Sequence, residues 1–342
     1  MPDKSKAGKE KTGQLPLRLR LKAWWEGYDQ EDLAKRWQEF QPDAPEPEPD
    51  KKAAKSQDTE QARPAPVPDD SVPMDPWDAE KINIAQYIWG EGYCGPGGPE
   101  HVVAMSKLMA LSPEMSMLQI GAEIGGPARV LADRFGVWIT GYEESPSMVD
   151  KGNQMSVMKG VEKKAHLEHW EPDNFDGFER KFDRALAKEA FFTIENKRMV
   201  LEQIEEKLKP GGLILITDYV IGSEATYGKT EFKEWKVGER RNPYPVLADD
   251  LVEMLKHVRL QVRVSEDISD TYVDMINKAW AGADEVAARL AKEEGGDRMI
   301  QMLMREAEFW TRRKKMLESG DLKLWRIVAN KKAGGPSMMS DW

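Results

Sequence analysis

One junction in this sequence constrains the fold more than any other feature. In Met117–Phe135, MLQIGAEIGGPARVLADRF, a short apolar run meets closely spaced glycines and then a helical pattern. Glycines at such a junction let the backbone approach a ligand, and the N-terminus of the following helix favours negative groups. The pattern is typical of a cofactor-binding loop at the carboxyl end of a parallel strand.

Strand and helix patterns alternate from about Trp77 to Lys332. The predicted strands are MLQIG, VWITGYE, AHLEHW, FDRALA, LILITDY, LQVRVSED and KLWRIVANK. The predicted helices are Asp78–Tyr87, His101–Leu111, Pro127–Phe135, Pro146–Lys159, Asn196–Leu208, Val246–Val258 and most of 270–318. Apolar strands joined by helices predict an α/β fold: a Rossmann-like, doubly wound, mostly parallel sheet with helices on both faces.

The N-terminal part has a different composition. Residues 1–14 are polar and lysine-rich and are predicted to be disordered, as is the tail 333–342. Residues 41–76 hold nine of the 21 prolines and hardly any large apolar residue, which predicts an extended linker. Between them, residues 15–40 carry a Trp-rich helical stripe. That segment is either a brace that folds onto the main domain or a docking motif for a protein partner, with membrane docking as a third option.

Composition limits the partners and the compartment. A net charge of -10 argues against nucleic acid as the main partner. The single cysteine, Cys94, rules out an internal disulfide and a Cys-rich metal site, so no metal is predicted. No apolar run approaches the roughly 18 residues of a transmembrane helix. No secretory signal is visible at the N-terminus, so a cytoplasmic location is expected.

A second acidic position follows the glycine loop at a suitable interval. The predicted strand VWITGYEES ends in Glu143 and Glu144, about twenty residues after the loop. A carboxylate there can accept hydrogen bonds from the vicinal hydroxyls of a ribose. Loop, spacing and terminal acid together indicate a nucleoside-containing cofactor.

These motifs resemble those of a known family. GAEIGG, ITGYEES, FDRALAKEAFF, LKPGGLILITDY and the loop WGEGYCGPGG resemble class I S-adenosylmethionine-dependent methyltransferases. Within that class the chain is most similar to small-molecule enzymes of the phosphoethanolamine N-methyltransferase type. The similarity covers 77–332 and implies S-adenosyl-L-methionine as the cofactor, an N-terminal lid and a C-terminal helical substrate region at 268–318.

The resemblance also implies roles for individual residues. Gly121 and Gly125 would line the methionine part of the cofactor, Glu143 would bind its ribose, and Trp170 with Glu171 would cover its adenine. The resemblance further implies that Glu189 and Tyr219 face the substrate, and we take them as the catalytic candidates. The substrate-binding candidates are the lid residue Trp89 and the cations Arg240, Arg241 and Arg313.

The chain departs from the family pattern at four positions. The family usually has an acid at Gln119 and a glycine at Glu123, and its proton-handling tyrosine–histidine pair would fall near Trp77 and Thr193. Neither tryptophan nor threonine is a useful base at neutral pH, so the acceptor must already be nucleophilic. Both altered loop residues remain candidates for cofactor contact.

Glu123 has three possible orientations. Facing the cofactor's carboxylate at about 4 Å, it would be repelled by about 4 kcal/mol at an effective dielectric constant of about 20. It could instead turn toward the cofactor's ammonium, in place of the acid missing at Gln119. It could also pair with Arg129.

Two functions remain open on the sequence alone. The first is a methyltransferase that acts on a small molecule, with an anionic or phosphorylated acceptor as one expectation. The second is a catalytically silent protein of this fold that binds or scaffolds a partner through residues 15–40. The four departures motivate the second reading, since a fold alone does not prove an activity.

Overall fold

The computed structural model describes residues 75–333. The predictions for 1–14, 15–40 and the tail 334–342, and nearly all of the predicted linker, concern residues outside this part. Among the described residues, no helix has the length and apolar character needed to cross a bilayer.

A seven-stranded sheet forms the centre of the fold, with the strand order β3-β2-β1-β4-β5-β7-β6. Its last-formed strand, β7, runs antiparallel to both of its neighbours, whereas the other pairs are parallel. This confirms the predicted Rossmann-like, mostly parallel sheet. The strands are β1 Ser116–Ile120, β2 Trp138–Glu143, β3 Ala165–His169, β4 Phe182–Lys188, β5 Leu208–Ile221, β6 Leu260–Asp267 and β7 Leu322–Lys331.

Ten α-helices are present in residues 75–333. They are α1 Ala79–Trp89, α2 Pro99–Ser106, α3 Gly126–Phe135, α4 Pro146–Met158, α5 Lys197–Lys207, α6 Thr230–Gly238, α7 Ala248–His257, α8 Ser269–Trp280, α9 Ala283–Leu290 and α10 Gly296–Glu318. The region predicted as mostly helix, 270–318, consists of the last three. Several boundaries differ from the prediction. The helix predicted at His101–Leu111 is Pro99–Ser106, and the KPGG stretch lies inside β5, because Leu208 pairs with Phe182 of β4 before the register shifts.

The strand order indicates which edge of the sheet is suited to ligand binding. The chain forms β1, β2 and β3 outward in one direction and then returns to add β4 on the other side of β1. Ligands bind outside the carboxyl ends of strands at such a reversal. Gly121, Glu143 and Glu189 each follow or end one of the three strands that meet there.

A buried carboxylate, that of Asp218, fixes the backbone at this edge of the sheet. Asp218 of β5 accepts hydrogen bonds from the backbone N–H groups of Phe191 at 2.5 Å, Phe192 at 3.1 Å and Tyr219 at 2.7 Å. Burial raises its pKa to about 7, against the lowering influence of Lys197. Asp218 therefore holds the short 3-10 turn Phe191–Thr193 at the end of β4.

Two glycine-rich loops pack backbone to backbone above the sheet. A Cβ atom on Gly126, at the start of α3, would lie 2.2 Å from the carbonyl oxygen of Gly92 and 3.1 Å from the Tyr93 ring. The loop 90–98 can rest on the loop 121–126 only because no side chain separates them at this point.

We therefore expect Gly126→Ala to lower the free energy of unfolding by about 1–3 kcal/mol, since the new methyl group meets backbone that must shift. Gly228→Ala is the matched control, because a Cβ there meets nothing within 4 Å. Urea denaturation of both variants measures the effect. Equal stability of the two would contradict the close approach of the loops.

Candidate functional site

A narrow cavity lies at the carboxyl edge of β1, β2 and β4. Its volume is about 120 Å³, below the roughly 300–1,000 Å³ of most small-molecule sites. Its walls combine aromatic rings with charged side chains from both halves of the sheet. They include Trp77, Cys94, Gly95, Gly121, Glu123, Glu143, Glu144, Met148, Trp170, Lys188, Glu189, Phe192, Thr193, Glu239, Arg240, Arg241, Phe309, Trp310 and Arg313.

The predicted cofactor residues divide into two groups. Gly121, Glu123 and Glu143 line the cavity, whereas Gln119, Gly125 and Glu171 are not among its lining residues. The Gln119 side chain is fully buried, and neither atom of its amide has a hydrogen-bond partner. Glu171 is exposed, and its neighbour Trp170 supplies a wall of the cavity instead.

Gly121 turns the chain directly beneath the cavity. Its φ is 67°, and a Cβ there would lie 2.7 Å from the carbonyl oxygen of Lys188 and 2.8 Å from Cβ of Ala190. The position thus needs glycine both for its backbone conformation and for the close approach of β1 to the end of β4.

Glu123 adopts a backbone conformation that glycine prefers, with φ at 49°. Its N–H donates to Glu143 Oε2 at 2.9 Å, and its buried carboxylate accepts a hydrogen bond from the backbone N–H of Cys94. Burial raises the pKa of Glu123, and Lys188 is the charge that most opposes this shift. Its Oε2 atom is buried without a hydrogen-bond partner.

Arg129 lies elsewhere, so the structure does not contain the predicted Glu123–Arg129 pair. The Arg129 guanidinium donates to the Gly152 carbonyl at 3.1 Å and contacts Met155 Sδ at 3.8 Å. These contacts with residues of α4 hold the guanidinium away from the Glu123 carboxylate, and Arg129 is not among the residues that line the cavity.

Glu143 ties the ends of two strands together. Besides the bond from Glu123, its Oε1 accepts the Ser145 N–H at 3.0 Å. Burial, and then the nearby charge of Glu144, raise its pKa to about 7. Glu144 itself pairs with Arg241 at 3.2 Å.

Glu189 stands at the end of β4 with a φ of 46°. Its Oε2 lies 2.6 Å from Lys188 Nζ, and its Oε1 accepts hydrogen bonds from Thr217 Oγ1 at 3.1 Å and from the Tyr272 hydroxyl. Sequence reasoning missed Lys188, Thr217 and Tyr272. The only signal was that FDRALAKE ends a buried strand with adjacent opposite charges.

The predicted substrate cations are all held by carboxylates. Arg313 forms two hydrogen bonds with Glu239, at 2.8 and 2.6 Å, which raise the pKa of Arg313 despite its burial. Arg240 pairs with Glu306, and its guanidinium lies 4.1 Å from the ring centroids of Trp77 and of Phe309.

Two further residues predicted to face the substrate, Tyr219 and Trp89, do not line the cavity. Tyr219 is buried, with its ring 4.9 Å from the Arg313 guanidinium, and Trp89 packs against Trp310 with ring centroids 4.5 Å apart. Neither is among the lining residues. Trp77 and Thr193, the two positions that depart from the family's proton-handling pair, both line the cavity.

No group of three or more His, Cys, Asp or Glu residues suited to a metal ion is found in the described part of the chain. Carboxylates, cations and aromatic rings make up the lining of the candidate site.

The raised pKa of Glu143 predicts a pH effect on stability. Between its ordinary value of 4.5 and about 7, folded protein retains a proton that the unfolded chain has released, so this group's contribution to stability falls as pH rises. The full shift corresponds to about 3 kcal/mol. Glu143→Gln lacks this group, so the wild-type free energy of unfolding should fall by about that amount relative to the variant.

Urea denaturation at several pH values across this window measures the difference. Glu162→Gln, which removes an exposed carboxylate, is the control and should show a nearly constant difference. A constant difference for Glu143→Gln as well would contradict the raised pKa.

Comparison with known proteins identifies the domain. A family described as "Methyltransferase domain" matches residues 101–263. Phosphoethanolamine N-methyltransferase of Plasmodium falciparum (isolate 3D7) is 25% identical over 202 residues, which cover 58% of this chain and 73% of the relative. Phosphoethanolamine N-methyltransferase 1 of Arabidopsis thaliana is 25% identical over 198 residues, but these span only 38% of the plant protein.

A solved structure shows the same fold. Phosphoethanolamine N-methyltransferase 2 of Haemonchus contortus, in complex with phosphomonomethylethanolamine and S-adenosylhomocysteine, superposes with a TM-score of 0.63 at 22% identity. The match covers 74% of this chain and 57% of that one. The strand order and the glycine loop agree with the family match: residues 101–263 form a methyltransferase domain of the class I, S-adenosylmethionine-dependent type.

Proposed function

We propose that this protein transfers a methyl group from S-adenosyl-L-methionine to a small-molecule acceptor. The observation that carries the proposal is the cavity at the strand-order reversal, where Gly121, Glu123 and Glu143 converge. The relatives support the reaction class, since the two named above are phosphoethanolamine N-methyltransferases.

The residues at the cavity fit the cofactor chemically. Glu143 retains acceptor capacity on both oxygens for the hydroxyl groups of a ribose. Trp170 offers an aromatic wall, and Glu123 Oε2 is a buried acceptor without a donor. The cavity is small for a nucleoside, so cofactor binding requires it to widen.

Methyl transfer to a nucleophilic acceptor needs little acid–base catalysis from the protein. When bound, the cofactor supplies an electrophilic methyl group on a sulfonium sulfur. Positioning in a dry site then provides most of the rate for a nucleophilic acceptor. The rings of Trp77, Phe192 and Phe309 give the cavity apolar walls, and Glu189 is a fixed carboxylate held by Lys188 and Thr217.

The ion pairs bear on the choice of acceptor. In the described structure, each of the four cations that line the cavity already has a carboxylate partner: Lys188–Glu189, Arg240–Glu306, Arg241–Glu144 and Arg313–Glu239. A phosphorylated acceptor would have to displace one of these carboxylates, which leaves a buried charge without a partner. We therefore favour an acceptor without a phosphate group over the phosphorylated one that the sequence suggested.

A silent protein is the second candidate. The small cavity and the absence of a base at Trp77 and Thr193 favour it. In that case residues 15–40 would supply the function, by docking a partner in the cytoplasm. A pull-down with the full chain and with a chain lacking 1–45 tests this docking, and identical captured proteins would argue against it.

Cofactor binding separates the two candidates. Calorimetric titration of the folded protein should show binding of S-adenosylmethionine and S-adenosylhomocysteine. Gly121→Val should abolish it, because a side chain there collides with Lys188 and Ala190. Gly228→Ala is the control and should bind normally. No heat at millimolar cofactor would favour the silent protein.

Acceptor preference follows from the paired cations. We expect ethanolamine-type acceptors to show no gain in methyl transfer when they carry a phosphate, measured as S-adenosylhomocysteine released. The relevant pair is ethanolamine and phosphoethanolamine at equal concentration. A preference of tenfold or more for the phosphorylated compound would show that at least one ion pair opens, and would restore the expectation of a phosphorylated acceptor.

A further inference from the structure

We infer that Glu123 receives the α-ammonium group of the cofactor's methionine part, taking over from the acid that is absent at Gln119. This inference rests on the proposed function and specifies how the cofactor is held. At this position a carboxylate residue has the positive φ that glycine prefers.

The location of the two side chains is the first support. Gln119 belongs to β1 and is buried outside the cavity lining, with no partner for its amide. Glu123 lines the cavity. Of these two candidate positions, only Glu123 presents its side chain to a ligand.

The unused hydrogen-bond acceptor of the Glu123 carboxylate is the second support. The carboxylate is buried, and the Cys94 N–H occupies part of its acceptor capacity. Its Oε2 has no hydrogen-bond partner among residues 75–333. A buried carboxylate oxygen without a donor is costly, and a ligand that brings an N–H donor removes the cost.

The charges around Glu123 favour a cation at this place. Carboxylates of Glu143 and Glu189 also line the cavity, and Lys188 and Arg313 are the cations that act on Glu123. Both cations already have carboxylate partners of their own, Glu189 and Glu239. Of the five carboxylates that line the cavity, Glu123 and Glu143 have no cationic side-chain partner at ion-pair distance within the described residues. Both oxygens of Glu143 already accept backbone N–H groups, so the Glu123 carboxylate is the better place for a ligand ammonium.

The backbone keeps Glu123 in place. A non-glycine residue at positive φ carries strain, which persists only when the surroundings hold the conformation. Here the Glu123 N–H donates to Glu143 at 2.9 Å, so the predicted ribose acceptor and the proposed ammonium acceptor are fixed relative to each other. The loop and the end of β2 thus present two carboxylates side by side to one ligand.

The test compares two ligands that differ in the amino-acid part. S-adenosylhomocysteine carries the α-ammonium group, whereas 5′-methylthioadenosine lacks it. Calorimetry should give a preference for S-adenosylhomocysteine in the wild-type protein. In Glu123→Gln, affinity for S-adenosylhomocysteine should fall roughly 10- to 100-fold, as for loss of a charged hydrogen bond, while affinity for 5′-methylthioadenosine changes less than about twofold.

Two further variants complete the test. Glu162→Gln removes an exposed carboxylate and should leave both affinities unchanged. Glu123→Asp keeps a carboxylate at this place and should retain more of the preference for S-adenosylhomocysteine than Glu123→Gln does. Thermal unfolding of each variant confirms that it is folded.

Other outcomes overturn the inference in distinguishable ways. Tighter binding of S-adenosylhomocysteine by Glu123→Gly would show that Glu123 obstructs the cofactor, so the inference fails while the cofactor site stands. Equal losses for both ligands in Glu123→Gln would show a purely structural role. Absence of binding in the wild type and in every folded variant would overturn the proposed function together with the inference.

Discussion

The carboxylate of Glu143 is the contact on which the site depends. It receives one N–H from the loop after β1 and one from the turn after β2, so a single side chain sets the distance between two neighbouring strand ends. The bond from Ser145 is buried and the bond from Glu123 is partly buried, so a donor left without its acceptor there would be costly. The position of Glu123, and with it one wall of the cavity, follows from this arrangement.

Local patterns in the sequence were sufficient for the sheet and for the edge that binds ligands. Apolar strands, a helix after each and a glycine loop with an acid about twenty residues later all depend on neighbouring residues, so periodicity and spacing reveal them. Glu143 and Gly121 were predicted for this reason, and both line the cavity. The boundary at KPGG was missed because strand pairing with Phe182 overrides the turn preference of Gly211 and Gly212.

The partners of the charged residues were beyond the sequence. Tyr272 meets Glu189, and Glu306 meets Arg240, across large separations in the chain, and no local pattern encodes these contacts. The arginines could be predicted as basic residues near a substrate, but whether they are available to an anion depends on Glu239 and Glu306. Those carboxylates lie on different elements, which only the packing of α10 against α6 brings together.

The stacking of Arg240 between Trp77 and Phe309 joins the beginning of the described domain to its last long helix. During synthesis, Trp77 leaves the ribosome well before Phe309. The glycine loop and the first four strands are therefore synthesised before the helix α10 that covers them. The cavity becomes enclosed only when α10 has been made and has packed, so the nascent chain exposes its charged interior to water until the domain is nearly complete.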